Sequence, residues 1–260
     1  MGSSAPSVKA ARGKCTSPKT PASSAKSLSK SSLTPLTFTA DLKWGPSWSP
    51  AGNQIVFNSV GNDEDKISIL SANGGRKVRN ISLKSFSGES PVFSPDGKYL
   101  VGYVTTLINN VDIGYLPLDG IEQFLPIPQP PASEIMPVFS PDGKYFAYQS
   151  NDLGQWEIYV TSFPEGAGRW PVSDGGGIHP RWRGNEIFFV SGNALMVTSV
   201  EETNASLRIG KPEQLFSGDD LGVALDPVKI SGNFAGGLYD VSPMANGLSS
   251  SERCVRRYAR

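Results

Sequence analysis

This sequence is short of the residues on which most protein chemistry depends. It holds two cysteines, Cys15 and Cys254, near opposite ends of the chain, and one histidine, His179. Two cysteines so placed define no disulfide framework, and with a single histidine they make no zinc-type ligand set. No metal or cofactor site is therefore expected. No stretch approaches the roughly 18 apolar residues of a membrane span. The N-terminus lacks the apolar core of a secretory signal. A hydrolase's nucleophile elbow, G-x-S-x-G, is missing, because Gly88-Glu89-Ser90 runs into Pro91. A kinase's Gly-rich loop, H-R-D and D-F-G are missing too. No enzyme activity is expected. Charged residues make up only 18% of the chain, and no segment keeps a helical period over about 11 residues.

What is abundant is glycine (28) and proline (21). Both break helices and strand interiors but suit turns, so the chain reads as many short strands joined by tight turns. The formal net charge is zero but uneven. Residues 1–40 carry six basic residues and no acid, and residues 249–260 carry four arginines and one glutamate. Removing these from the totals of 24 and 24 leaves 14 basic and 23 acidic residues between, a net of −9. An acidic body argues against nucleic acid as a partner. Residues 1–32, rich in Ser, Pro and Lys, read as a disordered basic tail.

The central segment repeats. Pro46-Ser47-Trp48-Ser49-Pro50-Ala51-Gly52, Pro91-Val92-Phe93-Ser94-Pro95-Asp96-Gly97 and Pro137-Val138-Phe139-Ser140-Pro141-Asp142-Gly143 are three copies of one motif. Pro180-Arg181-Trp182-Arg183-Gly184-Asn185 is a degraded fourth, and Tyr239-Asp240-Val241-Ser242-Pro243 begins a fifth. The leading prolines are 45, 46 and 43 residues apart. In Ser-Pro-Asp-Gly, Pro presets φ, Asp bonds local backbone and Gly accepts φ > 0, so the motif is a turn between two strands. An aromatic precedes each turn (Trp48, Phe93, Phe139, Trp182) and reads as core. An apolar run follows, such as Tyr145-Phe146-Ala147-Tyr148, and continuity rather than alternation means that both sheet faces are covered.

A third strand follows in each copy: 67–70, 113–116, 157–160 and 195–198. A weaker fourth closes the unit, as in Trp170-Pro171-Val172 and Glu213-Gln214-Leu215-Phe216. Four strands in 43–46 residues match a propeller blade. A β-sandwich also has short strands, but it does not require one motif at a fixed step. The expected fold is all-β, a β-propeller of four blades plus partial strands, over residues 33–243. Residues 33–38 are expected as the outer strand of a preceding blade, and 244–260 as an irregular tail. The abrupt change of composition after Ser242-Pro243 points to a rearranged end. Open blade edges would invite self-association.

The motif resembles that of the TolB-like propeller family over residues 34–243. Ser150-Asn151-Asp152-Leu153-Gly154-Gln155-Trp156-Glu157-Ile158-Tyr159-Val160 and Arg169-Trp170-Pro171-Val172-Ser173 are similar to propellers found C-terminal to bacterial serine/threonine protein kinases. The resemblance implies a six-bladed fold and an interaction or sensing role with a protein or peptide partner, outside the cytoplasmic membrane in the kinase-linked relatives. It transfers no kinase activity. Two other readings stay open: the cap of a prolyl-oligopeptidase-like peptidase without its hydrolase domain, and a periplasmic TolB-like envelope protein. A truncated product without activity is a further one.

Few residues offer chemistry. Asp96 and Asp142 sit in turns, where a backbone-bonding role outweighs a pair of catalytic acids. Asn62-Asp63-Glu64-Asp65 lacks the D-x-D-x-D-G spacing of a calcium loop and reads as a solvated loop. Ser173-Asp174-Gly175-Gly176-Gly177-Ile178-His179-Pro180 reads as a flexible link between blades. It would place His179 and Arg181 at the channel mouth, which makes them the candidate ligand-binding residues.

Overall fold

The computed structural model describes residues 42–60, 65–73, 78–82, 91–105, 111–120, 123–203, 206–225, 239–241 and 255–256. All of them fall in the compact unit Phe38–Arg260. The tail 1–32, the strand expected at 33–38, the acidic positions 62–64 and most of 244–260 lie outside the described residues.

Four antiparallel sheets follow one another along the chain. The first contains β1 (Leu42–Trp48), β2 (Gln54–Val60), β3 (Asp65–Ser71) and β4 (Val78–Ser82), paired in that order. The second contains β5 (Val92–Phe93), β6 (Tyr99–Thr105), β7 (Val111–Pro117) and β8 (Leu125–Pro126). The third contains β9 (Glu134–Phe139), β10 (Tyr145–Ser150), β11 (Glu157–Ser162) and β12 (Trp170–Pro171). The fourth contains β13 (Ile178–Arg183), β14 (Glu186–Ser191) and β15 (Ala194–Glu202), with a divided outer strand. There β16 (Leu207–Ile209) pairs with the far end of β15, and β17 (Glu213–Ser217) with its start. Gly210-Lys211-Pro212 makes the break. One capped helical turn, α1 (Gly218–Leu221), follows. Then β18 (Asp240–Val241) pairs with β19 (Val255–Arg256), which lies inside the segment expected as an irregular tail.

The turns form as the motif dictates. Ser94 Oγ donates to Asp96 Oδ1 at 2.6 Å and accepts from Tyr99 N at 3.0 Å, while Lys98 N donates to Asp96 Oδ1 at 3.1 Å. Ser140, Asp142, Lys144 and Tyr145 repeat this network. Gly97 and Gly143 take φ of 72° and 74°, a left-handed conformation that glycine adopts at least cost. In the first copy, where Ala51 replaces Asp, Ser49 Oγ donates to Asn53 Oδ1 instead. Both aspartates are thus spent on their turns. The Ser94 bond holds Asp96 below its ordinary pKa. Burial raises Asp142, but the Ser140 and Lys144 bonds outweigh it and leave it lowered.

The apolar runs alternate between two interfaces. Leu100 packs on Val56, Ile67, Ile69 and Ile81 of the first sheet, while its neighbour Val101 packs on Phe139, Phe146 and Tyr148 of the third. Ala147 turns the other way, toward Ile187 and Phe189 of the fourth. Phe188 and Val190 face Tyr239 and Val241. Each central strand is thus buried on both faces, and the period of two sends successive side chains to different neighbours. The first strands β1 and β5, β9 and β13, and β13 and β18 lie against one another. These are stacked blades: four complete ones and the start of a fifth among the described residues.

Two aromatics depart from the expectation of core. Phe93 and Phe139 are buried, each sealed against the preceding blade. Trp182 is only half-buried, packed at the edge of its cluster. Trp48 is 60% exposed.

Candidate functional site

The two residues singled out in the sequence lie on β13, and neither is an open surface group. His179 is buried. Its backbone N–H donates to Gln149 Oε1 at 2.6 Å, and its carbonyl accepts from Tyr239 Oη at 2.7 Å. Burial, together with the nearby Arg181 charge, lowers its pKa to about 4, so the imidazole is neutral at physiological pH. Arg181 is half-buried, with its guanidinium 5.7 Å from the Tyr239 ring centroid. Arg183 Nη2 donates to Val241 O at 2.6 Å. This group ties the fourth blade to the start of the fifth.

The backbone explains why a histidine is held there. Gly45, Met136 and His179 each precede the repeat proline, and each has a left-handed φ of 62°, 56° and 55°. Each also sits at a register shift between the first and second strands of its blade. The bulge recurs with the repeat and re-aims the start of each first strand. The connection before it, expected to be flexible, is anchored. Glu157, itself buried, accepts from Gly175 N at 3.0 Å, Gly176 N at 2.7 Å, Gln155 Nε2 at 2.6 Å and the Ser173 hydroxyl.

A second polar cluster, not foreseen from the sequence, lies between the second and third blades. Tyr148, fully buried on β10, is its centre. Its hydroxyl donates to Gln129 Oε1 at 2.5 Å and accepts from Arg169 Nε at 3.3 Å. Arg169 Nη1 pairs with Asp152 Oδ2 at 2.8 Å, and its guanidinium lies 3.4 Å over the Tyr159 ring. The Arg169 bond holds Asp152 below its ordinary pKa, and burial pushes Tyr148 up to about 12. Glu134, at the start of β9, is 1% exposed. Burial and then the Asp112 charge raise it to about 8, against a weak Ser150 hydrogen bond of 3.4 Å. Beside the cluster is an open surface depression of about 440 Å³ lined by Pro128, Gln129, Pro130, Gly166, Gly168 and Arg169. The stretches Ser150–Val160 and Arg169–Ser173 carried the family resemblance, and the Asp152–Arg169 ion pair joins them. No repeat motif marks Gln129 or Glu134.

Among the described residues no group of three or more His, Cys, Asp or Glu side chains is placed to hold a metal ion. No helix among them is long and apolar enough to cross a membrane.

Blades of this kind define the class: the protein is a β-propeller. Comparison with solved structures agrees. TolB from Acinetobacter baumannii is similar at 21% identity and a TM-score of 0.53, over 68% of this chain and 44% of that one. A puromycin-hydrolysing peptidase of Mycobacterium tuberculosis is similar at 16% identity and a TM-score of 0.52, over 68% of this chain and 29% of that one. The Cps50 (Swd1) propeller domain of Myceliophteria thermophila aligns at 13% identity and a TM-score of 0.50, over 66% and 58%. This chain therefore spans less than half of the Acinetobacter TolB. No protein-family model and no curated protein sequence matches it. At these identities the likeness carries the fold alone, which many unrelated functions share.

Proposed function

We propose that this protein is a non-catalytic interaction module that binds a protein or peptide partner. The observation that carries the reading is Trp48. In the later blades the equivalent aromatics pack on the blade before, whereas Trp48 stands 60% exposed on the leading face of the first. A large exposed aromatic at the edge of a packed sheet is the kind of anchor that dominates protein interfaces. The kinase-linked sensing role is the finer form of this reading, supported by the resemblance of Ser150–Val160 and Arg169–Ser173. A second reading, the propeller of a peptidase, stays open because the fold is shared with the mycobacterial puromycin-hydrolysing enzyme.

A photo-activatable amino acid at position 48, in the native host, tests the proposal. Illumination is expected to yield a discrete adduct with one polypeptide. The same group at exposed Leu153 is the control. Equal, diffuse labelling from both positions would reject the Trp48 face as an interface.

A further inference from the structure

We propose that the link between the second and third blades is itself a ligand, docking to a partner domain whose groove is lined by aromatic rings and receives prolines. The link reads Leu125-Pro126-Ile127-Pro128-Gln129-Pro130-Pro131. All four prolines are exposed. The repeat does not call for them. The equivalent link from the third blade to the fourth, Val172-Ser173-Asp174-Gly175-Gly176-Gly177, has three glycines and no proline. The proposal goes beyond the Trp48 reading and stands without it, because the link belongs to other blades.

The run is held extended. Every residue from Leu125 to Pro131 is a proline or precedes one. Proline holds φ at about −65°, and the residue before it is pushed out of the helical region. Residues 127–130 accordingly belong to no helix, turn or strand. The form these restraints favour is polyproline II, whose three residues per turn put Pro128 and Pro131 on one edge. The body of the protein fixes the other side. Ile127 and Ala132 are only 3% and 6% exposed. Ile127 N donates to Ile113 O at 3.0 Å, and Gln129 Oε1 accepts from Tyr148 Oη at 2.5 Å. The turn between β11 and β12 braces the run, since a Cβ at Gly166 would meet Ile127 Cγ2 at 2.8 Å and Pro128 O at 2.9 Å. Little conformational freedom remains to be lost when a partner arrives.

The chemistry of the run selects the partner. Prolines offer no N–H, so an added β-strand would find no ladder to join. They offer flat apolar rings, and polyproline II makes no internal hydrogen bonds that would use its carbonyls. Aromatic rings stack on such prolines and their polar tips donate to the carbonyls, which is how proline-recognising grooves work. No side chain from 125 to 131 is charged. Arg169, the charged residue of the adjoining depression, is paired with Asp152 at 2.8 Å. An ionic partner therefore has little to meet. Gly166 and Gly168 bring no side chains to that depression, which leaves space beside Pro128 and Pro130 for the rim of a partner groove.

The test titrates the full chain with a panel of purified SH3 and WW domains, which carry aromatic-lined proline grooves. At least one is expected to bind the folded chain. The double variant Pro128→Ala, Pro131→Ala removes two exposed rings and keeps Ile127, Gln129 and Ala132, so urea unfolding should show the fold retained. It is expected to weaken binding by about tenfold or more. Pro171→Ala, at an exposed proline of β12 outside the run, is expected to leave binding unchanged. Raising salt from about 50 to about 500 mM should change the affinity by less than about twofold, because no ion pair is involved. Binding by no domain of the panel, or equal binding by the wild type and a folded double variant, would overturn the proposal. So would a tenfold loss in Pro171→Ala, or binding that vanishes at high salt. None of these outcomes bears on the Trp48 face, which every variant retains.

Discussion

Glu134→Gln should make this protein more stable at neutral pH and leave it unchanged at mildly acidic pH. Glu134 is 1% exposed, and its Oε2 has no partner among the described residues. Its pKa rises from 4.5 to about 8, through burial first and the Asp112 charge second. Above pH 4.5 the unfolded chain releases this proton while the folded chain keeps it, so the unfolded state gains. Stability therefore falls as pH rises through the window from 4.5 to about 8. The slope is about 1.4 kcal/mol per pH unit, so the loss reaches about 3 kcal/mol near pH 7. Glutamine keeps the shape and an acceptor for Ser150 but carries no proton to lose. His179 works in the opposite direction. Its pKa falls from 6.5 to about 4, so its contribution is lost as pH drops through that interval. In the wild type the two slopes oppose each other between about pH 4.5 and 6.5, and only the difference between wild type and variant isolates Glu134. Urea unfolding of both proteins at about pH 4.5, 6 and 7.5 measures it. The difference should grow steadily with pH in favour of the variant. Parallel stability curves, or a variant that is weaker at every pH, would refute the burial argument.

The leading-face reading predicts that Trp48→Ala changes unfolding free energy by less than about 0.5 kcal/mol. Phe139→Ala, in the sealed position, should cost about 3–5 kcal/mol in the same chemical denaturation. Trp182→Ala should fall between the two, because its ring is only half-buried. Glu157→Gln should loosen the connection from the third to the fourth blade, since the carboxylate accepts from Gly175 N and Gly176 N. Hydrogen exchange at those two amides is expected to accelerate, with a stability loss of about 1–3 kcal/mol. Unchanged exchange there would mean that other contacts hold the loop.

The repeat, the turn and the strand order are legible in the amino-acid order alone. These are local or periodic. Ser94, Asp96, Gly97 and Tyr99 close their turn within five residues, so the motif and its geometry are one fact. The fourth strand of the last blade, read at 213–216, appears as β17. The third strand there, read at 195–198, extends into the nine residues of β15.

What each repeated residue faces depends on how the sheets pack against one another. Trp48 and Phe139 occupy the same place in their motifs, yet one is 60% exposed and the other 9%, because burial depends on what packs against the position and not on the motif itself. His179 reads as a loop residue near a channel mouth. The bulge before Pro180 turns it inward, where Gln149 and Tyr239 bond its backbone. The cluster of Gln129, Glu134, Tyr148, Asp152 and Arg169 spans two blades and follows no period. Each side chain is an ordinary polar residue in the sequence, and only the stacking of one blade on the next removes water from around them and makes their pairing, or its absence, count.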